Sequence, residues 1–258
     1  MNKTVLITGA SSGIGLEFSK LFVRNGYNLI MVSQNEKNLE KAKRLVCMEN
    51  DNAKIYAIAK NLAEPSAADE IFEYTKKNSI QIDVLVNNAG IQVYGKFYEN
   101  KMDDLINLMY VNMVALTKLT RLFIDGMVKR REGKILNVAS TGAFQPCPMN
   151  AAYCASKGYV LYLSEGMGAE LKGTGVTVTA LCPGATKTNF AKRANIEDIK
   201  LFRGRLLDPN RVAEIGYEAL IKGESVVVTG LYNKLVAESV RFMPRKLVTK
   251  IGMNVMGR

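Results

Sequence analysis

A doubly wound α/β domain built on a seven-stranded parallel sheet is the fold the sequence predicts, and three observations predict it. Short apolar runs alternate with longer segments whose apolar residues recur every three or four positions. The short runs are close to continuously apolar, as strands buried on both faces are. The first of them is followed at once by Gly9, Gly13 and Gly15, threaded with small residues.

Strands are expected at Thr4–Thr8, Asn28–Ser33, Lys54–Ala59, Asp83–Asn87, Lys134–Val138, Val176–Cys182 and Ser225–Val228. Helices are expected between them, at Gly15–Asn25, Lys37–Met48, Ala67–Lys77, Met102–Arg130, Ala152–Leu171 and Arg211–Lys222. Strand and helix in repetition mean a parallel sheet covered on both faces. No Pro- or Ser-rich linker and no short repeat divides the chain, so residues 1–230 read as one domain. Two stretches break the rhythm. Thr186–Asp208 is basic and irregular, and 231–258 reads as a basic amphipathic helical extension broken at Pro244.

Composition removes several function classes. No run of the 258 residues approaches the roughly 18–20 apolar residues of a membrane span, and the N-terminal run Val5–Ile7 is too short for a secretory signal. A cytoplasmic location is the expectation. Cys47, Cys147, Cys154 and Cys182 form no CxxC pair, so no metal site is expected and the thiols read as free. The absence of histidine excludes a Ser-His-Asp hydrolase and a His-ligated metal. Acid–base chemistry falls to Tyr, Lys, Cys or a carboxylate. A net charge of +11 raises nucleic acid, a membrane surface or an anionic ligand as partners.

A strand, then Gly-x-x-x-Gly-x-Gly, then a helix is a phosphate-binding arrangement. Glycines permit a tight turn and a close approach of backbone to pyrophosphate, and the helix N-terminus offers free N–H groups. A P-loop would need Lys and Ser or Thr after its last glycine, where Leu16 and Glu17 stand. A dinucleotide site of Rossmann type is the reading. Such sites usually carry an acidic ribose contact at the end of the second strand. Here that corner is Ser33-Gln34-Asn35-Glu36-Lys37, with no Asp at the strand end. Ser33 and Asn35 are neutral hydrogen-bonders and Lys37 can meet a 2′-phosphate, which favours NADP(H) and leaves NAD(H) open. The alternative is that Asn35 caps the next helix and Lys37 is solvated.

Tyr153 and Lys157 stand four apart near the start of a predicted helix, hence on one face. An ammonium beside a phenol lowers the phenol's pKa, and such a Tyr can protonate a carbonyl or deprotonate an alcohol. Ser140 closes the fifth strand, at the carboxyl end where ligands of open α/β sheets bind, and can help hold charge on a substrate oxygen. Asn87-Asn88-Ala89-Gly90 ends the fourth strand with small residues suited to a close cofactor. Asn112 interrupts an apolar helical stripe, either as a satisfied core amide or in a water relay.

TGASSGIG at 8–15, NNAG at 87–90, Asn112, Ser140, YCASK at 153–157 and CPGATKT at 182–188 together resemble the short-chain dehydrogenase/reductase superfamily in its short, single-domain form. The resemblance covers about residues 3–230. It implies that Gly9, Ser11, Ser12, Gly13, Ile14 and Gly15 wrap the cofactor's pyrophosphate and adenosine side, with Asn61 and Leu62 beside the adenine. Asn61 stands where the family more often has Asp. Asn88, Ala89 and Gly90 line a cofactor ribose, and Pro183, Gly184, Thr186 and Thr188 meet the nicotinamide end. Tyr153 becomes the general acid/base, Lys157 binds the nicotinamide ribose and depresses the Tyr153 pKa, Ser140 orients the carbonyl, and Asn112 holds a water joining Lys157 to solvent. Relatives often dimerise through the helices expected at 102–130 and 152–171, so a homodimer or homotetramer is implied.

The function this implies is hydride transfer between a nicotinamide cofactor and a small-molecule carbonyl or secondary alcohol. Intact Ser140, Tyr153 and Lys157 argue against the alternative, a cofactor-binding regulator or scaffold without catalysis. A nucleic-acid protein would interleave basic and aromatic residues on one face, whereas the charge gathers in 186–208 and the tail. Gln92, Thr141, Phe144, Gln145, Pro146, Met149 and Phe190 are expected to line the substrate pocket. The stretch 186–208, with Lys187, Lys192, Arg193, Lys200, Arg203 and Arg205, is the expected lid, suited to an anionic substrate or merely solvated. In the tail, Leu231, Leu235, Val236, Ser239, Val240 and Met243 form one helical face and Leu247, Val248, Ile251 and Val255 a second, flanked by basic residues. Packing on the domain or against a second subunit is preferred, with covering the substrate pocket and peripheral membrane contact as alternatives.

Overall fold

The computed structural model describes residues 2–204 and 206–257, so Arg205 and Arg258 lie outside the described residues. The strands are β1 (Thr4–Thr8), β2 (Asn28–Ser33), β3 (Ile55–Ala59), β4 (Val84–Asn87), β5 (Gly133–Val138), β6 (Val176–Cys182) and β7 (Val226–Val228). All pair in parallel, in the order β3-β2-β1-β4-β5-β6-β7.

Alternation along each strand divides the core between two faces. Val5, Ile7, Leu29, Met31, Val84 and Val86 face α1 (Gly13–Arg24), α2 (Glu36–Cys47) and α9 (Pro209–Lys222). Leu6, Ile30, Val32 and Leu85 face α3 (Ala67–Lys77) and α5 (Ala115–Arg130). Farther along the sheet, α6 (Ala151–Glu170) covers Ala180 and Cys182. Phe22 of α1 is fully buried on the first face, edge-on to Tyr27 at 5.1 Å and Tyr217 at 5.0 Å. Polar groups also cross the second face. Asn87 Nδ2 donates to Thr120 Oγ1 and Asn137 Oδ1, and Asn137 Nδ2 donates to Ser164 Oγ. This buried chain fixes α5 and α6 against β4 and β5 with nearly every partner satisfied, which favours one arrangement.

The long helix expected at Met102–Arg130 is divided. α4 (Met102–Met109) passes through a π-helical turn, Tyr110–Val114, into α5. Asn112 sits in that turn, and its amide both accepts from Ile91 N–H at 2.9 Å and donates to Ile91 C=O at 2.9 Å. Pulling one side chain onto a neighbouring backbone strand is compatible with the wider i→i+5 turn. The stretch 186–208 is less irregular than expected: α7 (Asn189–Arg193) and α8 (Lys200–Arg203) lie in it, and Thr186 bridges to Leu207. Beyond β7, α10 (Leu231–Ser239) and α11 (Arg245–Met256) meet near Pro244, where the break was expected.

Truncating Phe22 to Ala is expected to lower stability by about 3–5 kcal/mol, the usual cost of removing a fully buried aromatic side chain. Urea unfolding measures this, and a loss below about 1 kcal/mol would show that α1 and α9 collapse onto the space.

Candidate active site

Strand order reverses between β1 and β4, which leaves a crevice beyond their carboxyl ends. The segments after β1, β4, β5 and β6 all open onto it, enclosing a cleft of about 490 Å³. Its inner end is a glycine cradle. Gly9 (φ +66°) and Gly13 (φ +56°) hold left-handed backbone, and a Cβ on Gly9 would meet Asn88 Nδ2 at 2.8 Å. A Cβ on Gly15 would collide with the Gly9 carbonyl. Asn88 closes the cradle from β4, donating to Thr8 C=O at 2.9 Å and Gly9 C=O at 3.3 Å. Thr8 Oγ1 answers by accepting from the N–H groups of Asn88 and Ala89, each at 3.0 Å. Ser12 takes extended backbone as the N-cap of α1 without a side-chain capping bond. The cradle, the helix N-terminus and the absence of bulk fit the pyrophosphate of a dinucleotide.

The adenosine corner differs from its expected form. Ser33 lines the cleft and shares a hydrogen bond with Ser11 at 2.7 Å. Asn35 also borders it, but its side chain caps α2, accepting from Asn38 N–H at 2.9 Å. Lys37 is exposed on α2 and does not line the cleft. The cation that does is Lys60, just after β3, which is ion-paired to Glu70 and has its pKa raised chiefly by that bond. Lys60 escaped the sequence reading because nothing in a lone lysine after a strand signals a ligand. No carboxylate lines the cleft among the described residues, whereas Lys60, Lys157 and Arg193 do.

The reactive end forms where β5 gives way to α6. Ser140 is the N-cap of a short 3₁₀ turn, Thr141–Phe144, and its Oγ accepts from Gly142 N–H at 3.0 Å. Tyr153 and Lys157 project from the first turns of α6, with Lys157 Nζ 5.8 Å from the Tyr153 ring centre. Phe190 stands beside the Tyr153 ring, centroids 5.8 Å apart. Lys157 is 4% exposed, and Nζ donates to Val138 C=O at 2.7 Å. With no carboxylate partner among the described residues, burial pulls its pKa down to about 8. Burial raises the Tyr153 pKa above the ordinary phenol value, and the bond with Ser140 lowers it in part. Desolvation is the dominant influence on Tyr153, so the phenol keeps its proton.

Every expected site residue lines the cleft except Gly15, Lys37 and Asn112. Gly15 lies behind the cradle. Asn112 is a satisfied core amide bound to Ile91 and Ser156. It still neighbours Lys157 across Gly90, where a Cβ would meet Lys157 Nζ at 3.4 Å and Asn112 Oδ1 at 3.5 Å. Of the expected substrate-pocket residues, Gln92, Thr141, Gln145 and Phe190 line the cleft, whereas Phe144, Pro146 and Met149 do not. Phe144 packs instead with Val160 and Leu161 of α6, Pro146 is exposed, and Met149 joins a separate cluster with Cys147 and Ile199. The outer wall comes from Cys147 and Asn150 before α6, which the sequence did not single out, from Leu201 and Phe202 within the expected lid stretch, and from Val255 and Met256 of the tail. Among the described lid cations, only Arg193 reaches the cleft.

Residues 3–198 match the family described as short chain dehydrogenase, and the chain belongs to that family. It is 30% identical over 245 residues to the oxidoreductase UcpA of Salmonella typhimurium, spanning 90% of this chain and 92% of that protein. It is 31% identical over 182 residues to the ketoacyl reductase HetN of a Nostoc species, covering 70% of this chain but only 63% of HetN's length. A short-chain dehydrogenase from Sphingobium yanoikuyae, solved in complex with NADPH, superposes with a TM-score of 0.84 at 27% identity, covering 95% of this chain and 94% of that one.

The lysine makes a sharp prediction. Lys157 loses its proton near pH 8 when folded and near 10.5 when unfolded. Below pH 8 both states are charged and the folded chain carries the cost of a buried ammonium. Between the two values the folded chain sheds its proton first, so stability rises with pH across that window. Lys157→Met is expected to be more stable than the parent by about 2–3 kcal/mol at pH 7, with the gap narrowing from pH 8 to 10. Urea unfolding across that range tests it, and a pH-independent gap would place the lysine outside a desolvated site.

Proposed function

We propose that the chain is an NADPH-dependent carbonyl reductase in which Tyr153 gives the proton and Ser140 orients the substrate oxygen. What carries the reading is the convergence of Ser140, Tyr153 and a buried, carboxylate-free Lys157 on one cleft with the glycine cradle. The bound nicotinamide supplies the hydride; the protein's part is placement and the proton. Ser140 Oγ and the Tyr153 hydroxyl converge on the position of a substrate carbonyl oxygen. A phenol that keeps its proton suits donation to that oxygen as negative charge builds on it. Lys157, charged below about pH 8, offers a cation beside Tyr153 that can hold the nicotinamide ribose and stabilise the phenolate left when the phenol gives its proton. Gly90 leaves the space beside Nζ that such a ribose needs.

Preference for NADPH is supported by the carboxylate-free lining, by Lys60 at the adenosine corner and by the NADPH carried by the Sphingobium relative. In this reading Ser33 and Lys60 meet the 2′-phosphate, with Lys37 a more distant contributor. A cytoplasmic homo-oligomer is part of the same proposal. The outer faces of α4 and α6, with Ile106, Met109 and Tyr162 exposed, offer apolar surface for a second subunit.

Tyr153→Phe is expected to keep cofactor affinity and lose turnover by ~10²–10⁴ on a carbonyl substrate. Steady-state rates with NADPH and nicotinamide fluorescence titration read the two effects, and parental turnover would remove Tyr153 from the mechanism. In the same titration, Lys60→Gln is expected to weaken NADPH by about tenfold and leave NADH nearly unchanged, as loss of one phosphate-binding charge should. Equal weakening of both cofactors would assign Lys60 to packing with Glu70 instead.

A further inference from the structure

Both C-terminal helices leave large apolar side chains facing away from the domain. In α10 the residues turned to the domain are Asn233, which donates to Thr229 C=O, and the small Ala237. Leu231, Tyr232, Leu235 and Val236 lie on the opposite face, with Leu231 75% and Tyr232 77% exposed. Phe242, between the helices, is 86% exposed. In α11, Val248, Gly252 and Met256 pack inward, while Leu247 and Ile251 sit in solvent along one flank. Such a run of large exposed apolar side chains exceeds what a soluble surface usually tolerates without a partner.

The charge around this surface selects the partner. Lys234, Arg241, Arg245, Lys246 and Lys250 flank it, all exposed, and Glu238 is the only acid, already paired with Arg241 at 3.6 Å. A second copy docked here through a two-fold axis would set this basic rim against itself. An anionic bilayer meets both features at once: apolar side chains enter the acyl boundary and the basic rim meets the headgroups. No helix among the described residues is long and apolar enough to cross a membrane, so the contact is with the surface. The position fits a use. Val255 and Met256, at the end of α11, form part of the cleft wall, and Tyr94 OH holds Met256 C=O at 2.6 Å.

We propose that α10, Phe242 and the exposed flank of α11 form a docking surface for anionic phospholipid bilayers, seating the mouth of the cleft near the lipid. The proposal does not depend on the reaction the cleft performs.

The test is co-sedimentation of the full chain with vesicles of phosphatidylcholine alone and of phosphatidylcholine with phosphatidylglycerol. Binding is expected only with phosphatidylglycerol, and it should weaken as salt rises. Leu235→Ser with Phe242→Ser, and separately Lys246→Glu with Lys250→Glu, should each cut partitioning by about tenfold or more. These side chains are exposed, so unchanged thermal unfolding and cofactor titration will certify the fold of each variant. A chain that stays in the supernatant at low salt overturns the proposal. Binding lost only on charge reversal also overturns it, since adsorption would then not use the apolar face. A dimer in gel filtration that the serine pair dissociates, without vesicle binding by the parent, would assign the surface to a second copy. Binding of an acidic protein but not of vesicles would assign it to a protein partner.

Discussion

The site depends on a crevice between β1 and β4, and the crevice depends on one side chain. Strand order reverses there, so the connections leave on opposite faces and the backbone ends stand apart. Asn88 spans the gap, giving both amide hydrogens to the carbonyls of Thr8 and Gly9 while its own N–H binds Thr8 Oγ1. The turn after β1 is thereby fixed before any ligand arrives. Gly9 and Gly15 are glycines partly because Asn88 occupies the space their Cβ atoms would need. The cradle is thus a two-strand construction, in which the glycines and the asparagine each account for the other.

At the other end of the cleft, function and stability pull apart. Lys157 is buried against Val138 C=O without a carboxylate, an arrangement that burial penalises. Tyr153 is raised by the same desolvation. A carboxylate beside Lys157 would offset the cost of its burial and would also neutralise the cation beside the Tyr153 ring. The polar chain from Asn87 through Asn137 to Ser164, with Asn112 bound to Ile91 and Ser156, holds α5 and α6 in place beneath that unfavourable charge. These buried amides and hydroxyls thus hold the elements that carry the reacting groups.

How much of this was legible in the sequence follows from how local each signal is. β1, β2 and β6 end at the residues read from their apolar runs, because burial on both faces leaves an unmistakable composition. The glycine cradle and the 140–157 constellation were legible because residue type and spacing carry their geometry. The π-helical turn at Tyr110–Val114 was not, since the apolar period runs through it and the backbone that Asn112 binds there, Ile91, is 21 residues away in sequence. The adenosine corner misled for the opposite reason. Lys37 is close to the corner in sequence, yet the cap at Asn35 starts a helix that turns it outward, and Lys60 from the next strand takes the lining position. Phe144 was misplaced because it closes the 3₁₀ turn after Ser140 and packs on α6, and Met149 because it takes left-handed backbone (φ +66°) and joins the cluster with Cys147 and Ile199.

The outer wall of the cleft shows why substrate choice is the least legible property of such a chain. Three segments distant in sequence build it: the turn before α6, the lid helices α7 and α8, and the end of α11. Polar links that hold them include Lys200 Nζ to Asn254 Oδ1 at 2.9 Å, Lys200 N–H to Gly257 C=O at 3.1 Å, and Tyr94 OH to Met256 C=O. A small apolar cluster, Cys147, Cys154, Ile196, Ile199 and Met256, lies beneath them. The inner site is anchored to seven paired strands, whereas this wall rests on the turn before α6, the 186–208 stretch and the tail. Local opening there breaks few buried contacts, so the outer wall can move while the cradle, Ser140, Tyr153 and Lys157 stay fixed. Rigid chemistry and an adjustable entrance follow from one division of the chain, between what the sheet holds and what it does not.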